Sequence, residues 1–236
     1  VAYIFPIYML TSMLSNGAFG GAVSGATARA FGSRNIFLAE CIFRSAILIA
    51  LIGSVVMMGI FFTFAEIFFE FFKINREVTF SALTYGGILL SGIILIWLFN
   101  IIIAITRGSG NTIIPAIGWS IVLITHIIIA SLDFEYNKGI ITLTNAVKFF
   151  NDSLIFTSLE WSAISLLLGY LIGIFFVCGF YFFGKHSFSL HTIDILRFNG
   201  IVNLIKSGSL ASCQSIMTIA LAMFCTTVIN MYGTNW

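Results

Sequence analysis

The chain has 236 residues, of which 59% are hydrophobic and 8% charged, and its mean hydropathy is +1.07. A soluble domain carries about 25% charged residues, so this chain could not solvate the surface of one. Two prolines and 26 phenylalanines exclude a disordered or collagen-like chain, and 11 basic against 9 acidic residues leave a net charge of +2, with no nucleic-acid footprint.

Six stretches lack Asp, Glu, Lys and Arg: residues 1–28, 45–65, 78–106, 108–132, 161–184 and 207–236. Each is long enough to cross a hydrocarbon core of roughly 30 Å as a helix. Runs such as AILIALIGSVVMMGIFF show none of the polarity alternation of a transmembrane strand. The expected fold class is all-α, a polytopic membrane protein with six transmembrane helices at about 5–28, 42–65, 79–106, 112–132, 161–184 and 207–232.

Between the second and third spans, FTFAEIFFEFFKINREV places most of its phenylalanines on one side of a helix, which predicts a short interfacial helix or an extension of the preceding span. Residues 133–160 form a longer polar connection, expected to be external and mobile. If the first connection is cytoplasmic, the inner side holds Arg29, Arg34, Arg44, Arg107, Lys185, Arg197 and Lys206. The outer side then holds Lys73, Arg76, Lys138 and Lys148. The expected location is the plasma membrane, the bacterial inner membrane in particular. The first residue is Val1, and no basic leader precedes the first apolar stretch, so the chain reads as a fragment of a longer protein without a signal peptide.

Cys41, Cys178, Cys213 and Cys225 lie in or beside apolar runs without C-x-x-C spacing and read as buried small hydrophobes. His186 and His191 sit in a polar connection beside Lys185 and read as solvated surface. No H-E-x-x-H, phosphate-loop or G-x-S-x-G motif occurs. An enzyme is not expected, nor a metal site, nor a cofactor beyond a coupling ion.

Two stretches carry more specific information. Residues 16–35 (NGAFGGAVSGATARAFGSRN) hold Gly17, Gly20, Gly21, Ser24 and Gly25, with two overlapping G-x-x-x-G pairs, Gly17/Gly21 and Gly21/Gly25, then a polar stop at Arg29 and Gly32. Residues 105–115 (ITRGSGNTIIP) end a span on Arg107, reverse through Gly108 and Gly110, and reopen after Thr112 with Pro115.

These stretches resemble the second and fourth helices of the multidrug and toxic compound extrusion (MATE) family of the MOP flippase superfamily. The first resembles G-x-x-x-G-G-x-x-S-x-x-x-(A/S)-R-x-x-G and the second resembles L-R-G-x-G-D-T-x-x-P, with Asn111 in place of Asp. A third segment, Gly208 to Gln214 followed by Tyr232 and Gly233, is similar to G-L-P-A-A-x-x-Q and Y-G, with Leu210 in place of Pro. The resemblance implies a transporter of two six-helix bundles. Residues 1–200 would form most of the first bundle without its first helix, and residues 201–236 would begin the second.

It further implies a secondary active antiporter that exports organic cations, drugs or metabolites in exchange for H+ or Na+ by alternating access. The implied partners are a small organic cation or amphipathic molecule and the lipid bilayer, with no nucleic acid and no obligate protein partner. A lipid-linked precursor flippase of the same superfamily and a non-transporting scaffold subunit are the alternatives. Span interiors without Lys or Arg favour small cationic or neutral substrates over the flippase.

In the family's first bundle an N-x-x-x-D pair helps to form the ion site. Its positions fall here on His126 and Ala130, with Asp133 about one turn later as a displaced substitute or an ordinary loop-edge carboxylate. A threonine common in the sixth helix aligns with Leu166, and a glutamate of some seventh helices aligns with Thr218. His126 lies mid-span, where its imidazole either takes part in proton coupling or stays neutral and bonded to a neighbour. Asn16, Ser91, Asn100, Gln214 and Thr218 are the expected cavity-lining polar residues, either structural or in contact with substrate.

Overall fold

The computed structural model describes residues 4–71, 76–137, 158–183 and 198–232, with side chains described at all of these but 66–71, 76–78, 132–137, 158–159, 182–183, 198–200, 223 and 226–232. Among the described residues every element is helical and no strand occurs. The connections 138–157 and 184–197, with His186 and His191, lie outside them; of the external connection expected at 133–160, the ends 133–137 and 158–160 are helical, because the flanking helices run on past the apolar stretches.

The first rod opens on Pro6, tolerated in the first turn because its missing N–H would go unused there. It comprises α1 (Phe5–Ser12), a π-helical segment (Met13–Phe19) and α2 (Gly20–Gly32), with helical backbone angles across both joins. A wider π turn inside an α-helix rotates the residues that follow and often marks a functional site.

α3 (Ile36–Phe71) continues unbroken for 36 residues, about 54 Å of helix. The interfacial helix expected from Phe62 is therefore absent up to Phe71: no Gly or Pro follows Gly59 to stop the helix, and the span simply extends. Residues 72–75 lie outside the described residues.

The span expected at 79–106 is two helices, α4 (Arg76–Ser91) and α5 (Ile93–Gly108), bent by 47° at Gly92. A Ser–Gly pair is a common cause of such a kink. The Ser91 hydroxyl donates to the Ile88 carbonyl, and a Cβ at Gly92 would overlap the Leu167 side chain across the interface. α5 is the central helix, buried at nearly every position from Ile96 to Thr106, as its all-round apolar sequence requires.

α6 (Ile113–Asn137) and α7 (Ser158–Phe183) pack along each other and against α5, where Phe99, Trp119 and Tyr170 meet edge to face. α8 (Phe198–Tyr232) crosses the π segment, and Gly208 there admits the ring of Phe19.

Among the described residues α3, α6 and α7 each suffice by length and composition to cross a membrane, and the α4–α5 pair, bent at Gly92, adds a fourth where the two helices count as one broken span. The spans expected at 5–28 and 207–232 lie on helical backbone, the first divided by the π segment and the second within α8. Ile52, Val55, Val56 and Ile60 on α3, with Leu123, Ile124, Ile127 and Ile128 on α6, are exposed apolar faces suited to lipid.

The cysteines need one correction. Cys41 and Cys178 are half-buried, but Cys213 and Cys225 are exposed on α8, so the apolar character of that stretch reflects an uncovered face and not a core position.

Candidate functional site

The turn from α2 to α3 and the turn from α5 to α6 share one construction, Gly-Ser-x-Asn. In the first, Asn35 N donates to the Ala30 carbonyl and Arg34 N to the Phe31 carbonyl; in the second, Asn111 N donates to the Thr106 carbonyl and Gly110 N to that of Arg107. This pairing closes a helix end through a left-handed residue. That residue is Gly110 at φ +90° in the second turn and Arg34 at φ +55° in the first. The asparagines then start the next helices: Asn35 Oδ1 accepts from Leu38 N at 2.9 Å, and Asn111 Oδ1 from Ile113 N and Ile114 N at 3.1 Å each. An Asp at position 111 would accept the same two bonds.

These turns set the height of α5 against the first rod. A Cβ at Gly108 would stand 2.5 Å from the Ser24 carbonyl oxygen and 2.7 Å from Thr27 Cβ, so only glycine permits this crossing. Further along, a Cβ at Gly20 would meet Ala104 Cβ at 3.5 Å. Gly17 and Gly21, in contrast, face open space, so within this chain the two G-x-x-x-G pairs are not the contact. Gly20, one position round the helix from both pairs, is the glycine that faces α5.

The π segment and α5 are joined by polar side chains. Asn100, fully buried, donates through Nδ2 to Ser15 Oγ at 2.7 Å, and Ser15 donates onward to the Thr11 carbonyl at 2.8 Å. Asn100 Oδ1 has no hydrogen-bond partner among the described residues. Arg107 Nη2 donates to Asn16 Oδ1 at 2.8 Å. On the other flank of α5, Tyr181 donates to Thr106 Oγ1 at 2.9 Å, while Tyr8 and Tyr170 hydroxyls meet at 2.9 Å between α1 and α7. Ser15, Thr106 and Tyr170 were not among the expected site residues; a hydroxyl inside an apolar run is their only signal in the sequence.

His126 is half-buried between α6 and α7, with Nδ1 2.9 Å from Ser165 Oγ. Ser165 Oγ also stands 2.9 Å from the Ser162 carbonyl, an arrangement that accommodates a hydrogen on Nδ1 donated to Oγ. Asp133 lies seven residues further along α6, on the same helix face by period, with its side chain outside the described residues. Ala130 and Leu166 are half-buried and apolar.

The remaining candidates are dispersed. Ser91, expected toward the interior, is exposed beside the bend, and Gln214 and Thr218 are exposed on α8. Thr112 is exposed in the second turn and Pro115 is buried in the first turn of α6; Arg29 and Gly32 are exposed at the end of α2. Among the described residues no group of three or more His, Cys, Asp or Glu is placed to hold a metal ion.

Long apolar helices with hydrogen-bonded polar groups buried between them define a multi-pass α-helical membrane protein. The MatE family model matches residues 1–132, and the chain belongs to that family of membrane transporters. Solved structures carry the likeness over nearly the whole chain. One is an inward-facing multidrug resistance MATE family transporter of the MOP superfamily, at TM-score 0.76 and 18% identity over 95% of this chain and 47% of that one. Another is an outward-facing multidrug resistance MATE family transporter of the same superfamily, at 0.74 and 20% over 95% and 46%. A third is a MOP superfamily transporter from Pyrococcus furiosus Vc1 (DSM3638), described as having a binding pocket of reverse polarity that suggests a different function, at 0.72 and 20% over 95% and 46%. The chain spans about half the length of these structures. No curated protein matches the sequence.

Proposed function

We propose that this chain is part of a secondary active antiporter of the plasma membrane, exporting organic cations, drugs or metabolites in exchange for H+ or Na+ by alternating access. The observation that carries the reading is membership of the MatE family over residues 1–132, on a fold shared with transporters of this superfamily. Apolar stretches without Lys or Arg favour a small cationic or neutral substrate and disfavour a polyanionic lipid-linked precursor.

For the coupling ion, H+ is the better fit. At the aligned ion-site positions Ala130 and Leu166 supply no oxygen ligand, whereas the His126 imidazole titrates between pH 5 and 8 when unperturbed. Loss of a proton from its ring leaves Ser165 as a fixed neutral partner that serves either form. Cells that express the full-length gene should then extrude a fluorescent organic cation when the proton gradient is intact and fail when it is collapsed. Extrusion that follows a sodium gradient alone would replace H+ by Na+, and no extrusion under either gradient would overturn the exporter reading.

A further inference from the structure

α2, α3 and α8 converge at the end of the molecule that carries Arg29, Arg34, Arg44 and Lys206. Between them opens a crevice of about 200 Å³, floored by Ala22 and Ala26, walled by Leu38 and Leu204, and rimmed by Arg29 and Asn203. Ser207 adds a hydroxyl to the same rim. A drug-sized ligand needs roughly 300–1,000 Å³, so this is not a place for a transported compound.

Its lining is divided as a lipid is divided. The small residues of α2, Ala22 and Ala26, leave an apolar slot between the helices. The polar groups gather at its mouth. The Arg29 guanidinium has no side-chain hydrogen bond or ion pair among the described residues, and its Nη1 lies 3.5 Å from where a Cβ on Gly25 would stand, so the exposed side chain folds back along α2. Glu40, the nearest acidic residue in sequence to the lining residues of α3, points to the opposite face from Leu38 by helical period and does not neutralise it. A guanidinium presents a planar fork of donors that matches phosphate, and basic pockets between transmembrane helices take anionic headgroups.

We propose that this crevice binds an anionic phospholipid. Its phosphate sits on the Arg29 guanidinium, with Asn203 and Ser207 as further donors, and the start of an acyl chain lies against Leu38 and Leu204. On the proposed reading of the chain as part of an alternating-access antiporter, with α2 and α3 before residue 200 and α8 after it, the lipid would bridge two parts that move relative to each other.

The test is native mass spectrometry of the full-length protein after exchange into nanodiscs of phosphatidylcholine with phosphatidylglycerol. Wild type should retain one phosphatidylglycerol in preference to phosphatidylcholine. Arg29→Gln should lower that retention roughly tenfold, as loss of a charge-assisted bond predicts. Ala26→Leu, which fills the slot and keeps the charge, should lower it as well, and Arg34→Gln, outside the crevice, should not. Equal retention of both lipids, or Arg29→Gln and Ala26→Leu both behaving as wild type, would overturn the site. Displacement of the bound lipid by millimolar inorganic phosphate would overturn it too, in favour of a free-phosphate site.

Discussion

Arg107 at the end of α5 donates from Nη2 to Asn16 Oδ1 at 2.8 Å, and Asn16 stands in the π-helical segment of the first rod. The bond fixes both the height of α5 and the rotation that the wide turn imposes on the first rod. A double-mutant cycle with Asn16→Ala and Arg107→Ala should give a coupling of about 1 kcal/mol in thermal unfolding of the detergent-solubilised protein, near the upper part of the range for interhelical bonds in membranes. Additive single effects would mean that the two helices are held elsewhere.

The two Gly-Ser-x-Asn turns differ at their left-handed residue, which costs a side-chain-bearing residue about 1–2 kcal/mol relative to glycine. Arg34→Gly should therefore stabilise the protein by roughly 1 kcal/mol, and Gly110→Ala should destabilise it by about as much. Opposite shifts in melting temperature check the pair. Asn111→Ala removes an oxygen that serves two backbone N–H groups of α6 and should cost about 1 kcal/mol, whereas Asn111→Asp should be near neutral.

Glycine is required by packing at Gly108 and not at Gly17 or Gly21. Gly108→Ala pushes a methyl group into the Ser24 carbonyl and Thr27, and backbone cannot yield as a flexible side chain does. A loss of about 1–3 kcal/mol is expected, set against changes within about 0.5 kcal/mol for Gly17→Ala and Gly21→Ala. Ranking the three by resistance to heat in detergent gives the answer directly; equal losses would restore the G-x-x-x-G reading.

Much of this fold is legible from composition alone, because twenty-residue apolar runs leave helix as the only economical state in a bilayer. Arg107, Gly108 and Gly110 stand out in the sequence because an Arg–Gly reversal between two spans is rare punctuation. The π segment leaves no such mark: seven residues wound into a slightly wider turn have the same composition as seven in a normal one. The bend at Gly92 and the use of Gly20 in place of Gly17 or Gly21 depend on which side chains lie opposite, here Leu167 and Ala104, and those neighbours are about 75 and 84 residues away in sequence. The bond from His126 to Ser165 is hidden for the same reason, being a pairing of two helices across a long connection.

His126 offers the sharpest view of coupling. His126→Gln keeps a side-chain amide able to bond Ser165 but cannot take up a proton near neutral pH. Between pH 6 and 8 its proton-driven efflux should lose most of its pH dependence while the protein remains folded and inserted. An unchanged pH profile in the full-length protein would remove His126 from the coupling path.

The central claim is that a gradient of H+ or Na+ drives an organic cation through the complete transporter. The most direct measurement reconstitutes the full-length protein in sealed vesicles, imposes a pH gradient or a sodium gradient separately, and follows a fluorescent organic cation in real time. The account predicts uphill movement of the cation under the pH gradient, lost at once when an ionophore dissipates it. Movement that only equilibrates the cation, indifferent to either gradient, would contradict it.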